Sequence, residues 1–341
     1  MLLPTPTQTL AGGKVKLYHV NLQPFDDPMS PRLPFSSNAK AMICYIDRPS
    51  VKNAIDRQTA TALHSAFVSF AHDPSLRVAI LTGANGTFCA GADLKSIFES
   101  SLLGSPQSEV QSNSLDPNMD AIAPMGVTRL AMNKPVIAAV EGYAVAGGLE
   151  LALWADLRVA CSEAVFGILC RLRGVPLIDG GTVRLPALIG GSRASDLALT
   201  GRLVGAQEAE SIGLVNYIVP KSNGRMISEN GFGAVVDKAV RIAAGLAANP
   251  QSCMLNDRES MHNAIYSSVN GGDEVESEKE EKEEKVDLRL RGGLRKAMEK
   301  EFELGMQSLA KLLEEGQVEA FVNRSQKQRE VDRAKSRTSN L

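Results

Sequence analysis

The stretch from Lys134 to Glu150, KPVIAAVEGYAVAGGLE, restricts the fold more than any other part of the chain. Val136 to Val140 is an uninterrupted apolar run, the pattern of a strand covered on both faces. A turn at Glu141-Gly142 and a string of small residues then lead to Ala146-Gly147-Gly148. From Gly148 the segment LELALWAD is rich in strong helix formers, which places a helix N-terminus at the two glycines. A strand that turns through glycines into a helix leaves free N–H groups and the positive end of the helix dipole at one spot. Glycine has no side chain to keep a ligand oxygen away from that backbone. Glu150 falls in the first turn, so its carboxylate hangs near the same spot. The chemistry implied is an oxyanion site with an acid/base beside it.

Arg77 to Thr82 reads as a second strand, followed by a turn at Ala84-Asn85-Gly86 and by TFCAGADLK at Thr87–Lys95. With these residues the chain resembles the crotonase family, the enoyl-CoA hydratase/isomerase superfamily. The resemblance is carried by FCAGADL at Phe88–Leu94 and EGYAVAGGLELAL at Glu141–Leu153. GVPLIDGGTVRLPALIG at Gly174–Gly190 and LTGRLVGAQEAESIGLVNYIV at Leu199–Val219 continue it. Together the motifs cover most of residues 40 to 250, in the family's order and at its spacing. The fold implied is α/β: a crotonase-type spiral of repeated β-β-α turns, followed by a helical C-terminal region that assembles homotrimers or hexamers.

By the same resemblance, the chain acts on acyl-CoA thioesters through an enolate. Two backbone N–H donors stabilise the charge developing on the thioester oxygen, and loss of one such donor costs about 2.7–4 kcal/mol. Matched onto the motifs, the donors of this oxyanion hole are Ala92 and Gly147, and Glu150 matches the first catalytic acid. The position of the hydratase's second glutamate holds Cys170, and a thiol of pKa ~8.5 is a poor general acid/base at neutral pH. Asp179, three residues before Thr182, is the alternative second acid. Dienoyl-CoA isomerase relatives carry an acid at the corresponding offset from Gly-Thr, with a preceding loop one residue shorter. Asp179 reads equally as a turn or N-cap residue ahead of Gly180-Gly181. Lys52, Asn53, Ala54, Ala90, Asp93, Leu94, Lys95 and Gly148 are implied to surround the substrate, with Lys52 and Lys95 near the phosphates of CoA. CoA is part of the substrate, so neither a separate cofactor nor a metal is expected. Hydration of a 2-enoyl-CoA is the first reading, because the glycine, glutamate and GVP segments are hydratase-like. Double-bond isomerisation of an enoyl- or dienoyl-CoA, or decarboxylation of an acyl-CoA, is the alternative within the fold. A non-catalytic acyl-CoA binding protein is the alternative outside enzymology, favoured only by Cys170.

In chain order, residues 1–13 read as disordered and residues 14–232 as the spiral core, with a proline-rich insertion at 22–39. Lys14–Val20 and Ala41–Asp47 are expected strands, and Asp56 is an expected N-cap for a helix burying Ala60, Leu63, Phe67 and Phe70. His64 is read as a packed core histidine. A helix near Met125–Met132 is expected before the opening stretch, and an N-cap role is assigned to Ser192. Residues 233–323 form the helical C-terminal region, with helices at Ala234–Ala248, Gln251–Ser267 and Arg295–Asn323. Met298, Phe302, Met306, Leu309, Leu312 and Leu313 give the last of these an apolar stripe for core or subunit contact. A charged insertion at 271–287 and a polar tail at 324–341 are expected to be solvated.

A hydrophobic content of 44% over 341 residues is enough for a sizeable core. The net charge of −2 gives no electrostatic case for nucleic acid. Five scattered cysteines without metal-ligand spacing fit buried thiols in a reducing compartment. No run approaches the roughly 18–20 apolar residues of a membrane span, and the N-terminus has neither signal-peptide nor transit-peptide character. An intracellular soluble protein is expected, with cytoplasm, peroxisome and mitochondrion left open. Ser339-Asn340-Leu341 resembles the peroxisomal Ser-Lys-Leu signal without its basic middle residue.

Overall fold

The computed structural model describes residues 3–23, 38–93, 115–221, 231–267 and 287–314. Ten strands and eight α-helices are found among them. A seven-stranded sheet runs in the order β1 (Gln8–Leu10), β2 (Val15–Asn21), β3 (Lys40–Ile46), β4 (Leu76–Gly83), β5 (Val136–Val140), β7 (Leu157–Cys161) and β10 (Tyr217–Val219). β1, β2 and β3 pair antiparallel, and β3 through β10 pair parallel. A second sheet has three strands, β6 (Tyr143–Val145), β8 (Val165–Gly167) and β9 (Leu203–Gly205). The chain alternates between them. β5 serves the large sheet and β6 the small one before helix α2 (Gly147–Trp154); β7 and β8 repeat the step before helix α3 (Gly181–Ile189). This is the β-β-α spiral expected from the sequence.

All five residues of β5 are buried, as its unbroken apolar run requires. Helix α1 (Arg57–His72) starts as anticipated: the Asp56 carboxylate accepts the Thr59 N–H at 2.8 Å, and Ala60, Leu63, Phe67 and Phe70 face the core. Helices α4 (Gly191–Thr200) and α5 (Ala206–Ser211) flank β9 in sequence. Helices α6 (Ala234–Ala248) and α7 (Gln251–Ser267) span the expected residues, α6 packing across β4, β5 and β7. Helix α8 (Gly292–Glu314) packs against α3 and α7. Arg158, 2% exposed, closes the C-terminal end of α2 by donating to the carbonyls of Ala152, Ala155 and Leu214.

Several expectations need correction. The N-terminus is not wholly irregular, because Gln8–Leu10 add a strand to the sheet by pairing with Val15–Leu17. Residues 125–132 form turns instead of a helix. Gly126 has a φ of +85°, and a Cβ there would meet the Ala60 carbonyl oxygen at 2.5 Å, so the segment is pressed onto α1 through a residue no regular helix accepts. Gly190, not Ser192, is the N-cap of α4. His64 is half-buried and lines a cavity of about 290 Å³ with His72 and Arg129, outside the core proper. The N-terminal part of the α8 stripe makes core contact within the chain, since Met298 and Phe302 bury themselves with Met119, Ile178 and Leu290. The side chains of Leu309, Leu312 and Leu313, most of the 22–39 and 271–287 insertions, and the 324–341 tail lie outside the described residues.

Candidate active site

Two turns meet at the start of α2. The segment after β4 is tied to β6 by Phe88 N–H to Glu141, Cys89 N–H to Tyr143, and Val145 N–H to Cys89, at 2.7, 2.9 and 3.1 Å. That pairing brings Gly91, at φ +100°, within contact of Ala146 and the Gly147 nitrogen. Gly148 packs onto Cys89, and a Cβ on it would fall 2.1 Å from the Cys89 carbonyl oxygen. On the other side a bridge to Ile55 uses the N–H groups of Ile55 and Asp93 and leaves that of Ala92 without a partner among the described residues. Gly147 is the first residue of α2, so its N–H has no partner inside the helix. Ala146 reaches this point with φ +53° and ψ −130°, a strained conformation for a residue with a side chain.

Glu150 is 3% exposed. Its Oε1 accepts the N–H groups of Asp179 and Gly181 at 3.0 and 2.9 Å, while Oε2 takes no hydrogen bond from the described residues. Burial first, and then the charges of Asp179 and Glu301, hold its carboxyl well above the ordinary carboxylate range. The Asp179 side chain is also buried. Its Oδ1 accepts the Met125 N–H at 3.1 Å and the Thr128 hydroxyl, and Oδ2 takes no hydrogen bond from the described residues. Burial raises Asp179 as well, against the pull of those donors and of the Arg129 and Arg184 guanidinium groups. The second acid expected from the sequence thus sits beside the first. The turn reading of Asp179 is answered at the same time: its side chain bonds to a separate segment, and Gly180 is the N-cap of α3. Cys170 lies close enough to feel both charges, and burial pushes its thiol up, so it stays protonated.

The other expected residues divide. Asn53 is fully buried and its side chain is committed to the frame, donating to Ala84 and Thr87 and accepting the Arg48 N–H. Asp93 pairs with Arg48 at 3.2 Å. The Lys52 carbonyl accepts the Ala90 N–H at 3.0 Å, and its ammonium lies in the open, 5.4 Å from the Tyr143 ring centre. Ala54 is half-buried in the same turn. Leu94 and Lys95 lie outside the described residues.

Glu301 is the residue that sequence reasoning missed. It is 6% exposed and reaches from α8 to the start of α3. There it accepts the Gly180 and Thr182 N–H groups at 2.5 and 2.7 Å and the Thr182 hydroxyl at 2.7 Å. Its sequence signal is faint, because Glu299, Glu301 and Glu303 alternate along the helix and only Glu301 shares the buried face with Met298 and Phe302. Arg184, also buried, braces the cluster by donating to the carbonyls of Asp179 and Thr128 at 3.0 and 2.7 Å.

The family model for enoyl-CoA hydratase/isomerase matches residues 37–300. A mevalonyl-coenzyme A hydratase of Beauveria bassiana is 37% identical over 220 residues, 64% of this chain and 74% of the relative. A carnitinyl-CoA dehydratase of Salmonella arizonae is 40% identical over 193 residues, 56% and 69% of the respective chains. The crystal structure of an enoyl-CoA hydratase from Mycobacterium marinum superposes with a TM-score of 0.56 at 33% identity, covering 69% of this chain and 83% of that one.

Proposed function

Because the chain belongs to the enoyl-CoA hydratase/isomerase family, we propose that it adds water reversibly across the double bond of a 2-enoyl-CoA, with Glu150 as the acid/base. The observation that carries this reading is the buried Glu150 carboxyl, anchored among the described residues through Oε1, one helical turn from the Gly147 N–H that has no partner inside the helix. The thioester oxygen is held by the N–H groups of Ala92 and Gly147. As the hydroxyl adds to the β carbon, the electron pair of the double bond moves to that oxygen as an enolate, where prearranged donors act most strongly. Glu150 takes the proton from water and returns one to the α carbon, so the elements of water are added in full. Asp179 offers the second carboxyl through Oδ2, which takes no hydrogen bond from the described residues. Cys170 takes no part, since its thiol stays protonated.

Two relatives are named as a hydratase and a dehydratase, which favours hydro-lyase chemistry over double-bond isomerisation. One observation favours isomerisation: Cys170 stands where the hydratase carries its second glutamate, and proton relocation needs only one carboxyl. Steady-state assays on crotonyl-CoA, a longer 2-enoyl-CoA and a 3-enoyl-CoA separate the two. Hydration predicts turnover of the 2-enoyl substrates. Acyl-CoA binding without turnover of any of them would remove the enzymatic reading altogether.

CoA is proposed to lie along Lys52–Ala54 and Ala90–Lys95, with Lys52 and Lys95 at its phosphates. Calorimetric affinity for acyl-CoA is expected to weaken with salt, because exposed charge pairs are screened. The proposed assembly is a homotrimer or a hexamer. Leu172, Leu199 and Leu203 are exposed and offer apolar surface for it; a monomer in sedimentation would rule it out.

A further inference from the structure

The start of α3 presents four consecutive N–H groups to two carboxylates in alternation. Asp179 and Gly181 donate to Glu150, whereas Gly180 and Thr182 donate to Glu301. Glu150 approaches from α2 and Glu301 from α8, so the turn is clamped from both sides. Peptide units are rigid planes. The unit joining Asp179 to Gly180 carries the N–H that Glu301 holds, and its carbonyl is fixed by Arg184 at 3.0 Å. The units held by Glu301, 179–180 and 181–182, alternate with the units 178–179 and 180–181 that anchor Glu150 Oε1 and share Cα atoms with them, so a shift of Glu301 is passed to the next plane. Gly180 has a φ of +91°, which favours glycine, and Gly181 leaves room for the Glu150 carboxylate. A Cβ on Gly180 would meet Arg184 Nη1 at 2.1 Å, and one on Gly181 would meet Glu150 Oε1 at 3.0 Å.

The two carboxylates also share one positive helix end. Two negative charges in one buried place repel, and each makes the other harder to ionise. The groups facing Glu150 are Glu301, Asp179 and the Cys170 thiol. Arg184 faces the whole acidic cluster, Arg129 faces Asp179 and Glu301, and Tyr266 of α7 faces Arg184.

Building on the acid/base reading of Glu150, we propose that Glu301 is a positioning residue for the reaction: it fixes the α3 turn that orients Glu150 and, when ionised, sets a second negative charge at the same helix end. The test uses the full chain and two readouts. One is the infrared titration of the Glu150 carboxyl without substrate, assigned by its loss in Glu150→Gln. The other is kcat and KM for a 2-enoyl-CoA across pH. In Glu301→Gln the Glu150 titration and the matching limb of kcat are expected to move to lower pH. Its maximal kcat should fall by about 10²-fold, the order of loss when a reacting group is slightly misplaced, with KM unchanged. Glu301→Asp retains the charge and should restore the titration but not the full rate. Thr182→Val removes one hydrogen bond that favours ionised Glu301, so it should move the Glu150 titration the same way by less. A titration that stays put in Glu301→Gln, whatever the loss of thermal stability, makes Glu301 a helix cap and overturns the proposal. If that variant does not fold, an unmoved titration in Thr182→Val overturns it equally. A titration that moves in a protein turning over no enoyl-CoA leaves the positioning role standing and removes the functional reading instead.

Discussion

A carboxyl held by two N–H groups through one oxygen is oriented, and its other oxygen stays available to a substrate. Glu150 is in that state, and Glu150→Gln is expected to lower kcat by about 10²–10⁴-fold while calorimetry shows acyl-CoA still bound. Asp179→Asn should bring a comparable loss if both carboxyls move protons. A silent Asp179→Asn beside an inactive Glu150→Gln would leave one carboxyl and shift the reaction to isomerisation. Cys170→Ala should leave kcat nearly unchanged, because a protonated thiol contributes packing alone. The placement of Gly147 and Glu150 at one helix start was legible because both lie in a contiguous strand-turn-helix stretch, whereas Ala92 came from the family resemblance. Glu301 was not legible, since it meets its partners across 121 positions in the chain, a contact only the folded helices create.

Among the elements, the contact of α8 with the loop before α3 brings Glu301 within reach. Gly305 makes it possible: a Cβ there would lie 2.5 Å from Ile178 Cγ2 and 3.1 Å from Pro176 Cβ. Alanine is the better helix former by about 1 kcal/mol, yet Gly305→Ala is expected to destabilise the fold by about 1–3 kcal/mol through overpacking. Denaturant midpoints measure this, and an unchanged or higher midpoint would mean that α8 is not closely seated. Helix α6 and the start of α7 were legible to the residue because an apolar period marks α6 and Asn249-Pro250 separates the two. The turns at residues 125–132 were not, because the pressure of α1 on Gly126 is tertiary. β1 escaped notice for a similar reason: three residues carry too little pattern, and the strand exists by its pairing with β2.

At the scale of the whole molecule the buried carboxyls pull stability in opposite directions with pH. Glu150, Asp179 and Glu301 bind protons more tightly folded than unfolded. Their stabilising contribution is present below the ordinary carboxylate range and is lost as pH rises through their folded values. Asp56 and Asp156 are lowered: burial opposes this, but Lys14 and Thr59 at the first, and His262 and Arg258 at the second, prevail. Their contribution is present above the ordinary range and is lost as pH falls through their folded values. Glu150→Gln should therefore melt higher than the parent protein, by a margin that widens as pH is raised above 4.5. A margin that shrinks with rising pH would show the carboxylate to be stabilising after all. The placement of Glu301 also has a consequence for synthesis. The large sheet is complete once Val219 has emerged, whereas the residue that clamps the α3 turn is made on the order of ten seconds later at ribosomal speed. During that interval a nascent chain has the strands of its sheet and Glu150 but lacks the far half of the clamp, so the proposed acid/base is made before the residue proposed to position it.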